Sequence, residues 1–282
     1  MNEPPYQSIA VAATFSPRFH QVLAEASRIR DRLAARLTII YVGKEDATTA
    51  AKFSHAIAKA NLPPDTNVRY GQGDPATVIL QTAAKLDTEL LIAGALEKEA
   101  IHRQFLGNVA RRLVREAACS VMLFTHPSLE PKPFRHIVFM AAEYSDQALR
   151  ALRRTIQLAE RETCERLYVI RSYTSFDKAR AARRSKSGAA GSPGANPASA
   201  RTLEEEEIAL QNFILSAGET AVPIEARSIR GSTGFGASNF IQSVEADLLV
   251  VPLDAKPEPK PKLPSRISWV TDVIPCNLWI VR

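Results

Sequence analysis

The sequence predicts an α/β protein built as two tandem doubly wound parallel-sheet domains. Three observations carry this reading: apolar runs of strand length, helical stripes between them, and the whole alternation written twice. Strands this apolar must be covered on both faces, as parallel sheets flanked by helices are.

In the first copy, Ile9 to Ala13 reads as a buried strand. Ser16-Pro17 can cap a helix whose apolar positions Val22, Ala26, Ile29 and Leu33 recur at helical spacing. Leu37 to Val42 is a second strand, Ala50 to Ala60 a helix that Pro63-Pro64 stops, and Val68 to Tyr70 a third strand. Asp74-Pro75 opens the next helix in the favoured order of cap, then proline. Leu90 to Ala93 is the fourth strand. Leu106, Val109 and Leu113 line a last helix before a fifth strand, Ser120 to Phe124.

The second copy follows at an offset of 129, which lays Ala142-Glu143-Tyr144-Ser145 under Ala13-Thr14-Phe15-Ser16 and Arg171 under Val42. Leu149, Leu152, Ile156 and Ala159 repeat the first helical stripe. Farther on, Leu90-Leu91-Ile92 matches Leu248-Leu249-Val250 and Gly73 matches Gly231 at an offset of 158. Cys119 to Leu123 matches Cys276 to Ile280 at 157. The jump requires an insertion in the second copy. The Ser-, Gly-, Ala-, Pro- and Arg-rich segment from Arg183 to Arg201 supplies it, being too poor in apolar surface to order itself. The expected organisation is a domain over 1–130 and another over 131–282, with a flexible insertion over 176–206.

Composition narrows the function classes. The chain has 282 residues and a net charge of +6 from 36 basic against 30 acidic side chains, a mild excess without a patch. DNA is therefore not an expected partner. Arg28, Arg30, Arg32 and Arg36 read as solvated helix faces. No run spans a bilayer, and Met1 to Pro5 has no targeting character. Cys119, Cys164 and Cys276 lack metal-ligand spacing and leave an odd thiol, for which a reducing cytoplasm is the simplest setting.

Other candidates carry little chemistry. His20, His55, His102, His126 and His136 pair with no cysteine or carboxylate at ligand spacing, and read as surface or boundary residues. Gly231 to Ser238 is glycine-rich but lacks the Gly-Lys-Ser/Thr ending of a phosphate loop, so a turn and a helix cap by Ser232 or Ser238 is expected. A basic cluster, Lys178 to Lys186, precedes Glu204 to Glu207; the glutamates suit the first turn of a helix. No Gly-x-Ser-x-Gly nucleophile motif is present, and the sequence points away from an enzyme.

The stretch from Gly94 to Phe124 resembles the universal stress protein family. Nucleotide-binding members of that family carry Gly, two residues, Gly, nine residues, then Gly and Ser or Thr. Here the spacing falls on Gly94, Glu97, Gly107 and Asn108, and Ala118-Cys119-Ser120-Val121 matches the family's last-strand entry, as does Pro275-Cys276-Asn277-Leu278. The resemblance implies an adenine nucleotide alpha hydrolase-like fold and a nucleotide site. Glycines there admit the phosphates to the backbone and the following helix start donates to them.

Carried over residue by residue, the first-copy site comprises Thr14 at the family's acidic ribose position, Val42 at the adenine side, Gly94, Glu97, Gly107 and Asn108. Glu97 adds a charge that repels phosphate, which Lys98, His102 and Arg103 partly offset, while Asn108 still donates a hydrogen bond. In the second copy Pro252 stands at the Gly94 position, Pro264-Ser265 at Gly107-Asn108 and Arg171 at Val42. Pro257 to Lys262 fills the loop between with residues lacking the needed amides. That site reads as lost.

The resemblance therefore implies a non-catalytic cytoplasmic tandem universal stress protein with degenerate nucleotide sites. It would act in stress response or signalling through a protein partner or an altered ligand, with no obligate cofactor. One alternative is ATP or AMP bound in the first domain, with slow ATPase activity; another is a regulatory partner of a cation/proton antiporter. Ser120–Phe124 and Asn277–Val281 are expected to pair inside one chain as a pseudo-dimer, with a further homodimer open.

Overall fold

The computed structural model describes residues 5–95, 106–173, 202–230, 234–253, 263, 267–271 and 274–282. The first half runs β1 (Ser8–Ala13), α1 (Phe19–Leu33), β2 (Arg36–Val42), α2 (Ala47–Lys59), β3 (Asn67–Gly71), α3 (Pro75–Lys85), β4 (Leu90–Gly94), α4 (Asn108–Glu116) and β5 (Ser120–Phe124). The second runs β6 (His136–Met140), α5 (Asp146–Arg161), β7 (Arg166–Tyr173), α6 (Leu203–Leu215), β8 (Ile224–Arg230), α7 (Phe235–Ser243), β9 (Leu248–Pro252) and β10 (Asn277–Val281).

All ten strands form one sheet in the order β3-β2-β1-β4-β5-β10-β9-β6-β7-β8. Each half is a parallel sheet whose strand order reverses once, between β1 and β4 and again between β6 and β9. The halves meet where β5 and β10 run antiparallel, with Leu278 opposite Leu123, Trp279 opposite Met122 and Ile280 opposite Val121. The expected pairing of the two last strands is thus present within the chain.

Alternation along the strands sends side chains to two cores. Leu90 and Ile92 of β4 face α1, α2, α5 and α6, whereas Leu91 and Ala93 face α3, α4 and α7. Both faces are apolar, as the strand compositions required. Local signals fix several starts. Asp46 accepts from Thr49 N at 2.8 Å, so α2 begins three residues before the expected Ala50. Ser145 caps α5, and Thr202 with Glu205 forms a capping box on α6.

Asp74 caps α3 through Thr77 N at 3.0 Å and Thr77 Oγ1 at 2.6 Å, and also holds Arg112 Nη1 at 2.5 Å. These bonds, first those from Thr77, hold its carboxyl at about 2. Its folded pKa lies below its unfolded one, so the cap's contribution is full above the ordinary aspartate range and is lost as pH falls through about 2. Carboxyl-carbon NMR of Asp74 should show this midpoint; a titration near the ordinary value of 3.8 would contradict the cap geometry.

Four expectations need correction. Residues 203–206 are not flexible insertion but the first turn of α6, and Glu206 is only 4% exposed; residues 174–201 lie outside the described residues. Ser16 does not cap α1, whose cap position is Arg18 without a side-chain bond. Ser238 does not cap α7 either: Gly234, at φ +74, holds that position because a Cβ there would meet the Trp269 ring at 2.3 Å. Arg28 is no solvated face; its guanidinium is bonded to the fully buried Glu162.

Candidate functional site

The point where strand order reverses opens a crevice beyond the carboxyl ends of neighbouring strands, because the connecting loops diverge there. In the first half a cavity of about 290 Å³ lies there, lined by Thr14, Val42 and Gly94 of the sequence-predicted set together with Phe19, Val22 and Val109. Gly94 ends β4, and a Cβ added to it would come within 2.9 Å of Val22 Cγ2. Glycine is thus needed for space, with α1 packed close against the strand end.

Gly107 is the N-cap of α4 at φ −62 and ψ 158, with no side chain capping the helix start, and Asn108 is its first, exposed residue. Val109 and Ala110, the next two residues, line the cavity, so α4 begins at its edge. Glu97, Lys98, His102 and Arg103 lie outside the described residues. Polar groups around the cavity are few. Thr14 is exposed and its carbonyl accepts from Ser16 N at 2.7 Å, forming the tight turn out of β1. Arg18 Nη1 donates to Thr125 O at 3.3 Å.

The walls were legible only as core. Val22 belongs to the α1 stripe, and Phe19 packs edge-on against Phe15 at 5.3 Å and Phe53 at 5.7 Å. Nothing in a periodic pattern separates a residue that faces a neighbour from one that faces a cavity.

The second half differs at the corresponding strand ends, and its sheet register corrects the sequence alignment: Ile9 pairs with Leu37 and Leu90 where Ile137 pairs with Leu167 and Leu248, so Arg171 takes the place of Tyr41 and not of Val42. Arg171, on the face of β7 that carries Leu167 and Val169, donates through Nε to Glu206 Oε1 at 3.0 Å and through Nη1 to Ala141 O at 3.0 Å, and also to Ala142 O. Tyr144 Oη donates to the same glutamate oxygen at 2.6 Å, and the guanidinium carbon lies 5.1 Å from the Tyr144 ring. Both charged side chains are under a tenth exposed. The carbonyls just beyond β6 are therefore bonded by a protein cation. Pro252 ends β9 where Gly94 ends β4; Pro257 to Lys262 and Pro264-Ser265 lie outside the described residues.

Among the described residues no cluster of His, Cys, Asp or Glu could hold a metal ion, and no helix is long and apolar enough to cross a membrane. The three cysteines are free thiols. His55 and His126 are exposed, and His20 and His136 half-buried.

The chain is thus a doubled, doubly wound α/β sheet with a crevice at the order reversal of its first half. Residues 43–125 match the model of the universal stress protein family. A functionally unknown protein from Pseudomonas aeruginosa PAO1 superposes over 98% of this chain and 92% of its own, at 15% identity and a TM-score of 0.69. A universal stress protein from Archaeoglobus fulgidus DSM 4304 does so over 100% and 99%, at 13% identity and a TM-score of 0.66. These likenesses show a shared fold across both halves. No curated protein matches the chain.

Proposed function

We propose that this chain is a non-enzymatic universal stress protein with one working ligand crevice, in the first half, whose occupancy is read by a protein partner in the cytoplasm. The observation that carries the reading is the asymmetry between the halves. The first crevice is open and lined by Thr14, Val42 and Gly94, whereas in the second half Pro252 stands at the strand end that Gly94 holds in the first and Arg171 bonds the Ala141 and Ala142 carbonyls just beyond β6.

The ligand is a small ring-bearing molecule of low charge rather than a nucleoside triphosphate. At about 290 Å³ the cavity is at the lower end of ligand pockets, which commonly enclose about 300–1,000 Å³. Its walls are mainly apolar, Thr14 offers a ribose no carboxylate, and the sequence puts the negatively charged Glu97 three residues after Gly94.

A second reading has its own support: Gly94 and the uncapped start of α4 at Gly107-Asn108 retain part of a phosphate cradle. Calorimetry with adenosine, AMP and ATP separates the two, alongside chromatography and mass spectrometry of whatever the gently purified protein releases on denaturation. The expected result is no retained ATP, at most one site per chain, and adenosine bound at least as tightly as ATP. Near-stoichiometric released ATP, or ATP bound more than about tenfold tighter than adenosine, a difference of about 1.4 kcal/mol, would favour the nucleotide reading.

A further inference from the structure

At the opposite end of the sheet a second cavity, of about 430 Å³, lies where the two halves join. Tyr6, Cys119 and Ser120 enter it from the first half, Arg154 and Arg282 from the second. Arg282 donates through Nη2 to the last carbonyls of α4, Val114 O at 2.7 Å and Arg115 O at 3.4 Å. Its Nη1 is buried and has no acceptor among the described residues. Burial pulls the Arg282 pKa down to about 10, which still leaves it charged at neutral pH.

A guanidinium N–H buried without an acceptor is costly, and a bound oxyanion is its usual remedy. The neighbouring acidic side chains do not accept from Arg282 Nη1. Glu89 Oε2 accepts from Gln7 N at 2.6 Å and Ser8 N at 2.9 Å, and Glu116 is held by Arg112 at 3.0 Å. Ser120, 1% exposed, accepts from Tyr6 Oη at 2.7 Å and from Arg282 N at 3.0 Å, which leaves its own hydroxyl proton to donate. Arg154 stacks 5.2 Å over the Tyr6 ring and donates to Arg282 O at 2.6 Å, adding positive charge at the same wall.

We propose that this cavity is a binding site for a small oxyanion, held by the Arg282 guanidinium and the Ser120 hydroxyl across the join between the halves. The exposed Asp87 on its rim selects against polyphosphates, so the ligand carries one carboxylate or one phosphate group. Its occupation ties β5 to β10 and stabilises the joined sheet.

Amide NMR of the whole chain, titrated with sodium phosphate and then sodium acetate against sodium chloride at matched ionic strength, tests the site. Saturable shifts centred on Cys119, Ser120 and Arg282 are expected, and the stronger of the two anions identifies the ligand as a phosphate or a carboxylate. Arg282→Gln, checked for folding by its melting curve, should weaken binding about tenfold or more, the share of a charge-assisted bond. Shifts that are absent, that do not saturate, or that cluster at Gly107-Asn108 overturn the proposal, as does a folded Arg282→Gln with unchanged affinity. If that variant fails to fold, the map on the unaltered chain decides alone.

Discussion

Replacing Glu162 by alanine is expected to destabilise the protein by about 3–5 kcal/mol, the cost of leaving one member of a buried ion pair alone. Glu162 follows α5 and is fully buried. Both its oxygens accept from Arg28 Nη1 at 2.6 Å, and Oε2 also accepts from Phe134 N at 3.0 Å. Arg28 belongs to α1, its side chain 11% exposed, with its guanidinium carbon 4.4 Å over the Phe134 ring. Removing the carboxylate strands that cation together with a buried amide. Glu25 already bonds the same arginine through Nε and Nη2, and its one oxygen there does not restore the two oxygens and the Phe134 acceptor that Glu162 supplies. The triple substitution Arg28→Met, Glu162→Leu and Glu25→Gln should lose clearly less than Glu162→Ala alone, since no charge is then stranded. Urea unfolding of the three proteins measures both. A loss below about 1 kcal/mol for Glu162→Ala, the range of exposed pairs, would mean that water reaches the site.

That ion pair also marks the limit of what the sequence discloses. β5 and β10 lie where the apolar runs put them, because a fully buried strand announces itself by composition alone. Asp74-Pro75 opened α3 because cap and proline act within one turn. Arg28 and Glu162 are 134 residues apart, and an arginine on an amphipathic helix carries no sign of its distant partner. The same holds for the candidate site. Arg171 aligns with Val42 by sequence offset, but the sheet register sets it at the place of Tyr41, and its partner Glu206 reads in the sequence only as part of an acidic first turn. Helical polarity explains three glutamates there; the burial of one of them follows only from the packing of α6 on β7. Gly94 was legible as a glycine, but not its reason, which is the approach of Val22.

The join between the halves yields the other large effect. β10 lies between β5 and β9, so its amides serve ladders on both sides, and Trp279 sits at its centre opposite Met122. Its ring is 1% exposed and meets Tyr6 edge-on at 6.0 Å. Trp279→Ala should cost about 3–5 kcal/mol through the cavity it leaves. Trp279→Pro should cost more, because it also deletes a ladder amide in a strand with neighbours on both sides. Losing the join exposes two apolar strand edges, so this variant should aggregate as it melts rather than unfold reversibly. Calorimetric scans with light scattering follow both events. A Trp279→Pro protein that melts reversibly and close to the unaltered chain would show that β10 does not hold the halves together. The ten-stranded sheet would then be two sheets that merely abut.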